Sequence, residues 1–199
     1  MKYGFGVSLY DGSILQTTNK VYSMKDNKFI ENSDAANLNA FAKRQYFGVD
    51  AQFSTSSLLG LTSLRAEYLM GTQPGSSSSS SSPTSTATVT ADTYIRSFTG
   101  GYVHFVQDIF DTKHSITVKF DWYDANSKIS GDMIGLSGSK TSKADMAYST
   151  IGVGYFYRLS QNVKLSAYYD FTSNEKTKVK GYYHNVNDNL LTMRVQYKF

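Results

Sequence analysis

The sequence predicts an all-β chain in which eight antiparallel strands form a transmembrane β-barrel wall, and three observations predict it. First, the end of the chain alternates strictly: Leu191, Met193, Val195, Tyr197 and Phe199 fall on one face, and Thr192, Arg194, Gln196 and Lys198 on the other. Second, the same alternation recurs along the chain in segments of about ten residues, long enough when tilted to cross an apolar band of about 25 Å. Third, the connections between these segments alternate between long and short, which puts tight turns on one rim and large loops on the other. Composition agrees. There are 16 Tyr, 12 Phe and one Trp against two Pro in 199 residues, a balance that favours strands.

The first strand is expected over residues 2–10, with Tyr3, Phe5, Val7 and Leu9 opposite Lys2, Gly4, Gly6 and Ser8. Asp11-Gly12 ends it, and residues 11–43 read as a long polar loop without a strong period. Residues 45–53 resume the pattern, with Phe47, Val49, Ala51 and Phe53 outward. After a short connection at 54–60, the third strand puts Leu64, Ala66, Tyr68 and Met70 outward, with Arg65 and Glu67 inward. Residues 71–92 form the second long loop. It holds Pro74-Gly75 and the serine run 76–82, a low-complexity stretch expected to be disordered.

The fourth strand, over residues 94–106, is the least regular, and Gly100-Gly101 is expected to mark a bulge. Residues 107–113 turn the chain. The fifth strand, 114–123, then sets Ile116, Val118, Phe120 and Trp122 against Thr117, Lys119 and Asp121. A third long loop fills 124–145. The sixth strand, 146–157, carries Ile151, Val153, Tyr155 and Tyr157 outward, and 158–162 is a tight turn. The seventh sets Val163, Leu165, Ala167, Tyr169 and Phe171 against Lys164, Ser166, Tyr168 and Asp170. Residues 172–188 are the last long loop. Aromatic pairs at Tyr3/Phe5, Tyr155/Tyr157 and Tyr197/Phe199 gather at the short-turn rim, as an interfacial girdle would. A soluble sandwich would explain the alternation but not the asymmetry of the rims.

The remaining composition narrows the function. The formal charge of +4 comes without a Lys/Arg cluster, so no nucleic-acid partner is expected. The absence of cysteine removes disulfides and thiolate metal sites, and no cofactor or metal is expected. No run of about 18 apolar residues predicts a transmembrane helix. Residues 1–7 already read as a strand and not as a secretory leader. Either the numbering is that of a mature chain or the upstream part of a longer protein is missing. The chain is expected to be a single but partial barrel domain over 1–199 that lacks its N-terminal half and signal peptide.

By parity the inward face carries Lys2, Arg65, Arg96, Lys119, Lys164, Arg194 and Lys198 against Asp50, Glu67, Asp121 and Asp170. Unpaired charge of that kind would cost several kcal/mol per ion in a packed core, whereas a water-filled interior removes the cost. Many other inward sites are small (Gly4, Gly6, Gly48, Gly152, Gly154) and would underfill a closed core. Width is favoured, and eight strands alone would leave edges exposed or closed under strain.

Six ordered blocks carry a resemblance: YLMGTQPG at 68–75, YIRSFTGGYVHFVQ at 94–107, VKFDWYDANSKISG at 118–131, IGVGYFY at 151–157, YYDFTSNE at 168–175 and DNLLTMRVQYKF at 188–199. Together they are similar to the C-terminal half of the porins grouped as phosphate-selective porin O and P, over most of positions 60–199. The resemblance implies a sixteen-stranded outer-membrane barrel of a Gram-negative bacterium, trimeric when full length, that passes small solutes including anions such as phosphate. It also implies that the barrel-assembly machinery reads the terminal strand through Tyr197 and Phe199. The half of such a porin that holds its constriction loop is not matched, so phosphate selectivity is not carried over.

A pore needs no catalysis, because lumen cations alone raise the local anion concentration. The candidate lining residues are Arg65, Arg96, Lys119, Lys164, Arg194 and Lys198, with Glu67 and Asp121 as local partners; Arg65–Glu67 and Lys119–Asp121 could equally brace the wall. A serine hydrolase is not expected, since none of His104, His114 and His184 has Ser two residues away. A calcium site at Asp121, Asp124 and Asn126 lacks a glycine-fixed loop. The alternative is a small closed eight-stranded barrel acting as a structural or adhesive surface protein.

Overall fold

A computed structural model describes residues 1–81, 91–110, 113–186 and 188–199. The fold is a single sheet, antiparallel but for one short pairing, with almost no helix among the described residues. Its main path comprises β1 (Lys2–Leu15), β4 (Phe41–Ser57), β5 (Gly60–Gly75), β6 (Thr93–Ile109), β7 (His114–Asp124), β8 (Ala147–Arg158), β9 (Val163–Asn174) and β10 (Leu190–Tyr197). A hairpin of β2 (Val21–Lys25) and β3 (Lys28–Asn32) lies between β1 and β4 in the chain and brings the strand count among the described residues to ten.

Register does what the alternation demands. Val7 pairs with Val49, Val49 with Tyr68, Ala66 with Val103, Val103 with Phe120, Phe120 with Ile151, Ile151 with Phe171, and Tyr169 with Leu191. One face is therefore apolar across all eight strands of the path, because a slip of one residue at any pairing would turn that set over. Among the described residues no second layer covers this face. Phe5 is 81% exposed, Val7 71% and Met193 74%.

The path does not close. Among the described residues β1 pairs only with β4 and β10 only with β9, leaving an edge at each end. Short connections join β4 to β5, β6 to β7 and β8 to β9 at one rim; long ones occupy the other.

The long connections are more ordered than their composition suggests. Residues 11–43, expected as a loop, contain the end of β1, the β2–β3 hairpin and the start of β4. The hairpin turns on Asp26 and Asn27, at φ 50° and 59°, the left-handed pair that a two-residue turn between twisted strands requires. β7 pairs with β6 only as far as Thr99–Asp124, so the upper edge of β6 is open to other partners. β2 takes it, parallel, with Tyr22 level with Tyr94, and Ser127 donates its amide to Ser97 O at 2.8 Å.

Two small cores form here. Tyr22, Phe29 and Tyr94 make one, with Tyr22 stacked on Tyr94 at 4.4 Å. Ile129, Ile134 and Met146 make the other, against Met24, Val179 and Tyr182. Every one of these residues belongs to the long-connection end.

Two further expectations are corrected. Gly100 and Gly101 continue the ladder on both sides without a bulge. Gly101 is there for close approach, since a Cβ would lie 2.4 Å from Glu67 O and 2.7 Å from the Trp122 ring. The start of the serine run is ordered, because Ser76 O accepts from Arg96 Nη1 at 2.8 Å and Ser77 O from Ser142 Oγ at 2.7 Å. The rest of that loop, 82–90, lies outside the described residues.

Candidate functional site

The polar face of the sheet is organised in rows by the same register. Asp50, Glu67, Tyr102, Asp121 and Thr150 stand side by side on successive strands. Two residues nearer the short-turn rim, Gln52, Arg65, His104, Lys119, Gly152 and Asp170 form the next row. A band led by carboxylates thus lies beside a band led by cations, about 7 Å away along the strand.

Within these bands the predicted residues behave differently. Arg65 is exposed and Glu67 half-buried; among the described residues neither makes an ion pair, so the expected Arg65–Glu67 brace is not formed. The Lys119–Asp121 brace is formed, at 3.8 Å, but the shorter ion pair of Lys119 is with Asp170 at 3.2 Å. That pair spans β8, and Gly152 makes it sterically feasible. A Cβ at 152 would lie 2.4 Å from Asp170 Oδ1 and 2.5 Å from Lys119 Cε. His104 Nε2 lies 2.7 Å from the hydroxyl of buried Thr117.

Nearer the short-turn rim, Lys164 holds its ammonium 4.1 Å from the centre of the Phe156 ring. Arg158 reaches Asp108 at 3.5 Å and Ser115 Oγ at 3.2 Å, while Ser115 donates to Asp108 at 2.5 Å. Sequence reasoning missed this cluster because Asp108 and Arg158 fall in segments expected as turns. Arg194 is exposed on the edge strand β10, and Lys198 is exposed just beyond it. Tyr197 and Phe199 meet edge to face at 5.4 Å, with Phe199 wholly exposed.

Arg96 is the correction. Parity places it on the polar face, but it is 1% exposed and bonds through Nε to Asp145 Oδ1 at 2.9 Å, with Asp145 wholly buried. The long connections cover it. Its guanidinium lies 5.4 Å and 5.6 Å from the Phe29 and Tyr94 ring centres, and Asn126 Nδ2 donates to the same Asp145 oxygen at 2.9 Å. Arg96 therefore anchors the loops and lines no open surface. Asn126 gives its amide nitrogen to that anchor and is wholly buried. Among the described residues no group of three or more His, Asp or Glu could hold a metal ion.

The chain matches no family model, no curated protein and no solved structure.

Proposed function

We propose that the chain is part of the wall of a water-filled outer-membrane channel, a porin through which small solutes diffuse passively, anions such as phosphate among them. One observation carries this reading: an apolar face in register across eight strands, covered by no protein layer among the described residues, backs a face of charged rows. Lipid is the neighbour that such a face fits, and water is the medium that unpaired Arg65 and Glu67 require. The open edges of β1 and β10 suit further strands, as in the sixteen-stranded, trimeric porins that the sequence resembles. The exposed Tyr197 and Phe199 fit a terminal signal for the barrel-assembly machinery.

The test is a planar bilayer. Stepwise conductance after reconstitution, with a reversal potential under a salt gradient biased toward anions, is the expected result. Stable insertion with no conductance would overturn the channel.

That silent outcome belongs to the second reading, a small closed eight-stranded barrel with a structural or adhesive role at the surface. The observation favouring it is the loop layer, which has cores of its own and a fully buried ion pair. Neither reading gives the chain a catalytic function.

A further inference from the structure

We infer that Asp170 is a selectivity-determining residue of the wall, because it cancels the charge of Lys119 across β8. This rests on the channel reading. Lys119 stands at the centre of the cation row, beside His104 in register and one strand further from Arg65.

The geometry removes it from that role. Its ammonium lies 3.2 Å from Asp170 and 3.8 Å from Asp121, and Asp170 is the more enclosed of the two carboxylates, with its side chain 16% exposed against 42%. Asp170 is not a cross-strand neighbour of Lys119. Lys119 faces Gly152, and Gly152 faces Asp170, so the two side chains meet over a residue that has none. Any side chain there would collide with both partners. What the row then offers to a passing anion is Arg65, since His104 turns its Nε2 to the Thr117 hydroxyl. Lys119 with its two carboxylates is a zone of net negative charge.

Two variants probe the pair without touching the apolar face. Asp170→Asn removes one carboxylate and keeps its shape. Gly152→Ala leaves the formal charge unchanged and parts the two side chains, since a new methyl would displace Asp170 Oδ1 and the Cε and Cγ of Lys119. Asp50→Asn removes a carboxylate that has no ion pair among the described residues and serves as the control.

The first readout is acylation of Lys119 by a water-soluble N-hydroxysuccinimide ester, followed by peptide mass spectrometry on the full chain in lipid vesicles. Acylation requires the Lys119 amine to swing free of its carboxylates, so Asp170→Asn and Gly152→Ala should label at least about threefold faster than wild type, and Asp50→Asn at the wild-type rate. The second readout is the bilayer reversal potential, which Asp170→Asn should move toward anions.

Equal labelling in all four proteins, or an unmoved reversal potential in a conducting Asp170→Asn channel, would overturn the inference. Wild-type protein that inserts and does not conduct would instead overturn the channel reading; labelling would still report on the ion pair.

Discussion

Replacing Arg96 with Met tests what holds the long connections together. Removing one partner of a buried ion pair costs about 3–5 kcal/mol, because the other charge is left without compensation. Here Asp145 would retain the Asn126 amide at 2.9 Å and the Ser142 backbone amide at 2.8 Å, which places the loss near the lower end, about 3 kcal/mol. The ring contacts to Phe29 and Tyr94 are shared by a Met thioether in part, so they change the figure little. At tenfold per 1.4 kcal/mol, the open form of the loop layer would rise on the order of a hundredfold. Trypsin reads this directly: Lys128 and Lys143 are exposed in the connection that carries Asp145, and cleavage tracks the open population when reclosing is fast. Cleavage at those lysines should accelerate by about that factor while the sheet keeps its far-ultraviolet signal. The double variant Arg96→Met/Asp145→Leu should recover part of the protection, since no buried charge remains although the Asn126 and Ser142 amides lose their acceptor. Equal cleavage of wild type and Arg96→Met would refute the reasoning.

Gly101→Val should destabilise the sheet by about 1–3 kcal/mol, read by heat or urea unfolding, because the new Cβ meets the Glu67 carbonyl and the Trp122 ring. Asn27→Val at φ 59° should loosen the β2–β3 hairpin by about 1–2 kcal/mol, seen as faster amide exchange in that segment, while Asn27→Gly should not. Glu31 is held below the usual carboxylate range, first by the Tyr22 hydroxyl and then by Lys140. Its contribution is therefore complete above the ordinary glutamate pKa and lost as pH falls through the lower folded value. Hairpin exchange rates should rise over that window in wild type and stay flat in Glu31→Gln. Deleting Phe199 should lower the amount of assembled protein in the outer membrane without altering strand content in the refolded chain; unchanged assembly would count against a role in recognition.

The strands were legible because their signal is local. From Tyr3 through Val195, residues two apart carry one face, and a fixed period needs no knowledge of neighbours. The hairpin at 21–32 was hidden by its shortness: two strands of five residues, joined by Asp-Asn where Asn-Gly would announce a turn. Arg96 shows the limit of parity. Alternation gives the face of a residue but not its depth, and only the folded connection from 125 to 146 decides that this cation is sealed. The Lys119–Asp170 pair lies further still from a linear reading. It depends on two registers at once and on a glycine whose contribution is to be empty.

The placement of the buried apolar residues follows from the same division of surroundings. Ile134 and Met146 are wholly buried, while Val7 and Met193 stand open, although all four have similar hydrophobic content. A water-soluble sheet would reverse this, spending its apolar face on a second layer and leaving its loops thin. On the proposed reading the sheet has no need of a protein layer, since hydrocarbon takes that place, and only the connections that emerge into water must build cores of their own. The buried Arg96–Asp145 pair fits that position. It lies where the ladder of β6 has lost β7 and must be finished by the hairpin and the loop, so the fold places its most costly polar contact where sheet hydrogen bonding gives out.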